Sequence, residues 1–146
     1  MQKPFVNAMA AALVAAGATA CSSSPSAAPA PGALPSGTAR VTINARDLPA
    51  TTAVKCAPIG SLTTITTGDT AAGVTALVSN ETGLTAKSVT ITDVGGFTGS
   101  YMYGLGGKAD VSMAGRTYII RGTADGFDTD NPSVRTTGTF AIHVAC

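Results

Sequence analysis

A small, mostly β domain built as one antiparallel sheet or sandwich is what this sequence predicts, and three observations carry the prediction. From about residue 40, apolar residues alternate with Thr, Ser and charged residues in short runs, the period of a half-buried strand. Gly, Asn, Asp or Pro separates many of these runs, as in Gly95-Gly96, Gly106-Gly107 and Asp125-Gly126, and these residues favour tight turns. The chain of 146 residues holds 22 Thr and 17 Gly, and no window shows a convincing long amphipathic helix.

The runs come in order. Arg40-Val41-Thr42-Ile43-Asn44 places Val41 and Ile43 on one face. Strand-like stretches recur at 52–57, 62–67, 73–79, 87–93, 99–104, 109–113, 117–123 and 137–146. The segment 70–78 (TAAGVTALV) also reads as a short helix, so one helix is allowed for. The outward positions fall to Thr42, Thr90, Thr92, Thr117 and Thr139. A β-branched residue packs on the pleat while its hydroxyl stays wet. A hydroxyl-rich face for carbohydrate is the functional alternative, but no Trp is present to serve as a sugar platform. Residues 40–146 form the domain, long enough for one core and not two.

Charge narrows the function classes. Nine Lys+Arg stand against eight Asp+Glu, and only 12% of residues are charged. Nucleic-acid binders show a basic excess or stripe, and this chain has neither. Three Cys are too few for a disulfide-dense miniprotein.

The N-terminus gives an address. Lys3 precedes an apolar stretch over 5–17, too short to span a bilayer and suited to the core of a secretory signal. Then comes Ala18-Thr19-Ala20-Cys21-Ser22, small residues before a cysteine. This resembles the lipobox of bacterial lipoproteins, with Ala18 where Leu is usual. The resemblance implies a signal peptide over 1–20, diacylglycerol on the Cys21 sulfur, and an acyl chain on the new amine. It also implies an extracytoplasmic, membrane-held location. The rival is ordinary secretion, since Ala18-Thr19-Ala20 also fits an Ala-x-Ala cleavage site. Residues 21–39 then carry Pro25, Pro29, Pro31 and Pro35 among Ala, Ser and Gly, a disordered linker that cannot bury a core.

Setting Cys21 aside leaves Cys56 and Cys146. An oxidising compartment favours their pairing. Phase agrees: Val54 shares a face with Cys56, and Phe140, Ile142 and Val144 share one with Cys146. Two Cys and one His are too few for a zinc site, and the close Cys pair of a redox motif is absent.

Other candidate sites are weaker. His143, the only His, falls opposite the apolar face of the last run with Thr139, Ala141 and Ala145. No Gly-x-Ser-x-Gly elbow accompanies it, so a solvent-facing or second-layer side chain is expected. Asp125, Asp128 and Asp130 with Asn131-Pro132 read as a structured loop, with a Ca²⁺ site as the rival. Tyr101 and Tyr103 alternate with Met102 and so face one side, either as a recognition patch or as core edges. No cofactor is expected beyond the lipid on Cys21.

The run Tyr118-Ile119-Ile120-Arg121-Gly122-Thr123-Ala124-Asp125-Gly126, the Asn131-Pro132 turn and the final Phe140-Ala141-Ile142-His143-Val144-Ala145-Cys146 resemble the LpqH-type surface lipoprotein antigens of mycobacteria. The resemblance implies an immunogenic cell-envelope lipoprotein whose acylated N-terminus meets host innate receptors of the Toll-like class. It brings no catalytic residues, and no nucleophile–base pair is visible. The expected partners are the membrane and host receptors, not nucleic acid, with the chain a monomer. Display of a non-enzymatic domain is the favoured function. The alternative is a carrier of a small apolar ligand or lipid, which requires a connected apolar cavity.

Overall fold

The computed structural model describes residues 28–146. Every element among them is a strand: β1 (Ala39–Ile43), β2 (Arg46–Asp47), β3 (Val54–Ile59), β4 (Leu62–Gly68), β5 (Gly73–Ser79), β6 (Thr85–Val94), β7 (Phe97–Met102), β8 (Ala109–Ala114), β9 (Thr117–Asp128) and β10 (Arg135–Ala145). They form one antiparallel sheet in the order β2-β1-β10-β9-β7-β6-β5-β4-β3, with β8 paired to β9 beside that path.

The sheet curls because one face of nearly every strand is apolar and must leave water. Val41, Ile43, Ile65, Val74, Val89, Ile91, Ile120, Ile142 and Val144 are buried on the concave side around Phe97. Each such side chain contributes roughly 1.5–3 kcal/mol on burial. The interior is also shaped by what is missing. A Cβ on Gly138 would come within 2.8 Å of the Phe97 ring, and one on Gly99 within 2.7 Å. Two bare backbone positions thus make room for the Phe97 ring.

Local chemistry explains the hairpins. Gly95 (φ 61°) and Gly96 (φ 74°) join β6 to β7, the two left-handed residues that match the right-handed twist of the strands. Asp69 Oδ1 accepts from the amides of Ala71 and Ala72 at 2.8 Å and so holds the β4–β5 turn.

Two links close the curl. Thr51 pairs with Ala39 in an isolated antiparallel bridge, which brings the segment before β3 against β1. A disulfide joins Cys56 on β3 to Cys146 just after β10, with 5.9 Å between their Cα atoms. Edge strand β3 is thereby tied to the middle of the other half of the sheet.

Four details differ from the sequence reading. The helix allowed for at 70–78 is a turn followed by β5, because Val74, Ala76 and Val78 alternate into the core. The two-residue strand β2 carries no periodic pattern and was not expected. The acidic stretch from Asp125 to Asp128 continues β9 instead of looping, since β7 pairs with it from Phe97 to Ser100. Thr117, expected outside, is fully buried, and its Oγ1 accepts from the Leu34 amide at 2.9 Å. The last linker residues accordingly lie on the sheet, with the Gly37 amide donating to the Ala145 carbonyl at 2.8 Å.

Candidate functional site

The chain enters the domain across the outer face of β9 and β10. Leu34 is held by Thr117, and a Cβ on Gly32 would touch the Ile119 side chain at 3.6 Å. Beneath this segment lies a cleft of about 460 Å³ lined by Gly32, Ala33, Leu34, Arg40, Thr42, Asp47 and His143. His143 is half-buried there, in a second layer under the linker. Its neighbours come from strand pairing: Arg40 is its partner on β1, and Arg121 on β9 is partnered with Ala141. The Arg121 Nη2 lies 3.5 Å from His143 Nε2. Desolvation, then repulsion from Arg121, holds the imidazole below its ordinary value of 6.5, while the Gly32 backbone pulls weakly the other way. A neutral imidazole between two guanidiniums is the resting state at neutral pH.

Sequence reasoning missed Arg40 and Arg121 as companions of His143. Their outward phase was visible in each strand, but the pairing that brings β1, β10 and β9 together spans about a hundred residues.

The tyrosine pair is divided. Tyr101 is inside the core at 7% exposure, because β7 is still paired with β6 there through Val89. Tyr103 follows the end of β7 and is 60% exposed, with Lys87 Nζ 4.6 Å from its ring centroid. Tyr101 and Tyr103 therefore form no common patch. The exposed group consists of Met102, Tyr103 and Leu105.

The acidic residues are spread out. Asp125 Oδ1 accepts from Thr137 Oγ1 at 2.8 Å on the β9–β10 surface, while Asp128 and Asp130 border a separate hollow with Asn131 and Gly96. Among the described residues no group of three or more His, Cys, Asp or Glu could hold a metal ion.

The most apolar recess lies at one mouth of the curl, between Val41, Leu48, Pro49, Thr67, Val74 and Val94, with a volume of about 230 Å³. Cys21 and the signal segment 1–20 lie outside the described residues.

The domain with its C-terminal disulfide can now be set beside known proteins. Residues 32–146 match the Mycobacterium 19 kDa lipoprotein antigen family. The chain belongs to this family. A Mycobacterium indicus pranii relative named as a lipoprotein is 40% identical over 112 residues, which cover 76% of this chain and 80% of that one. A second lipoprotein-named relative, from Mycobacterium avium subsp. hominissuis, is 35% identical over 147 residues, covering 100% of this chain and 97% of its own. Lipoprotein LpqH of Mycobacterium avium is 34% identical over 108 residues, 73% of this chain and 67% of its own length. The match begins at residue 32, within the linker segment that lies on the sheet. For a lipoprotein antigen family member, association with the cell envelope follows.

Proposed function

We propose that this family member is a non-enzymatic envelope lipoprotein, acylated at Cys21, that holds its β domain outside the membrane for contact with other surfaces, host innate receptors among them. Membership in the lipoprotein antigen family carries the reading. Cys21 supplies the thiol that accepts the lipid, and the small residues before it suit processing. More than one acyl chain is needed for lasting attachment, since a single chain holds only marginally. The residues between Cys21 and the docked Leu34 act as the tether. The exposed Met102, Tyr103 and Leu105 offer the domain's most apolar contact surface, with Lys87 at its edge.

Carriage of an apolar ligand is the competing reading. The recess at the mouth of the curl, at about 230 Å³, falls below the roughly 300–1,000 Å³ of small-molecule sites, and the buried side chains occupy the concave face. This favours display. Purification of the chain from its native membrane, followed by extraction and mass analysis of non-covalently bound material, separates the two. Display leaves the extract empty of stoichiometric apolar compounds, and a stoichiometric lipid would overturn it in favour of carriage. In parallel, a cell-based reporter of innate lipoprotein receptors responds to the wild type and not to Cys21→Ala. Equal responses from both would remove the host-contact part of the proposal.

A further inference from the structure

We propose that the outer face of the sheet over β6, β7, β9 and β10 binds a neutral oligosaccharide, gripped by Asp125 and Arg135 and bedded on Phe127. Strand register builds the site. Thr66, Thr75, Thr90, Ser100, Asp125 and Thr137 are successive register partners from β4 across to β10. The neighbouring row, Ile65, Ala76, Val89 and Tyr101, is buried in the core. Successive side chains alternate between the faces of a sheet, so the first row points outward, and all of it but Thr66 is exposed. Every member of that row carries a hydroxyl or a carboxylate. The row crosses a hollow of about 310 Å³ whose lining includes Thr90, Thr98, Ser100, Asp125, Phe127 and Arg135. A second hollow of about 170 Å³ shares Asp125 and Arg135 and continues to Thr136 and Thr137. Two adjoining hollows with two charged side chains in common suit linked sugar rings better than one compact ligand.

The polar groups there keep bonding capacity for a ligand. Asp125 Oδ1 accepts from Thr137 Oγ1 at 2.8 Å, which leaves its second oxygen. Thr98 Oγ1 accepts from the Asp93 amide at 2.9 Å and keeps its proton to donate. Asp125 is the register partner of Thr137 and Arg135 that of Phe127, so the carboxylate and the guanidinium stand diagonally, and no ion pair joins them among the described residues. A carboxylate accepts from neighbouring sugar hydroxyls, a guanidinium donates to sugar oxygens, and Thr or Ser does both. Phe127 is half-buried in the lining, and an aromatic ring offers an apolar bed for the C–H face of a sugar. No other charged residue lines either hollow. The one negative and one positive charge balance, which favours a neutral glycan over a phosphate or a uronic acid. The inference goes beyond display and does not depend on acylation of Cys21.

The test keeps the full chain in a polyoxyethylene ether detergent, which has no sugar headgroup to compete. Soluble neutral trisaccharides of glucose, mannose, galactose and arabinose are the probes. Saturation-transfer NMR reads binding, and amide shifts of the isotope-labelled chain read its place. At least one trisaccharide shows transfer, with shifts centred on Ser100, Asp125, Phe127 and Thr137. Loss of a charged hydrogen-bonding partner weakens such a complex about tenfold or more, so Asp125→Asn and Arg135→Gln each weaken it and the double variant abolishes the signal. Both positions are exposed, so the core is untouched. Arg116→Gln, exposed in the β8–β9 turn, is the control that keeps full binding. Transfer to none of the trisaccharides, shifts centred elsewhere on the sheet, or wild-type binding by the double variant overturns the site.

Discussion

Glycine 138 shows how tightly single residues are specified. The Phe97 ring fills the space where a side chain would stand, at 2.8 Å from an added Cβ. Gly138→Ala forces the buried ring or β10 to move, and overpacking of this kind costs about 1–3 kcal/mol. Urea denaturation of the two proteins measures it, with Gly115→Ala as a control for left-handed strain at an open position. His143 gives a second residue-scale expectation. Its folded pKa lies below its unfolded value, so the folded state resists protonation. Its contribution to stability is intact above about pH 6.5 and is lost as pH falls from there toward the lower folded value. In His143→Gln that part of the acid slope disappears from a pH series of melting curves. The sequence showed which way His143 faces. It did not show the arginines, because cross-strand partners are set by topology and not by spacing along the chain.

At the scale of elements, most strands were legible because their alternation is strict. Val41 and Ile43, or Phe140, Ile142 and Val144, have one apolar face each and admit one register. Two of the misreadings share a cause, a tertiary partner that overrode a local signal. Asp125 and Gly126 favour a turn, yet β7 and β10 on either side extend β9 through them. Residues 70–72 could start a helix, yet Asp69 caps a tight turn instead. Thr117 has the profile of a surface residue, yet the linker covers it. The Cys56–Cys146 pairing was legible from parity and phase, and it closes 90 residues of chain. The chain-entropy view assigns roughly 4–5 kcal/mol to a loop of that size. Cys56→Ser/Cys146→Ser is expected to lose most of that in denaturant titration. Hydrogen exchange should show the loss first at β3, which has only β4 as a ladder partner, and last at β6. Uniform loss across the sheet would mean that the bridge adds global stability without fastening an edge.

For the whole molecule, composition, address and fold point to one arrangement. With the proposed signal removed together with Lys3, eight basic residues would stand against eight acidic ones, and no net field would steer the domain to charged partners over distance. On the proposed reading, position comes from attachment. The family supplies the lipoprotein character, and the linker docks on the outer face of the sheet, where it walls the cleft beside His143. The candidate site was the less legible part of the chain because it is spread over β1, β9, β10 and the linker, none of which carries a motif by itself. The central claim is that acylation of Cys21 places this closed sheet at the membrane. Detergent-phase partitioning of protein expressed in a mycobacterial host tests it most directly. The account predicts wild type in the detergent phase and Cys21→Ala in the aqueous phase with its disulfide intact. Wild type in the aqueous phase, or Cys21→Ala retained in detergent, would contradict it.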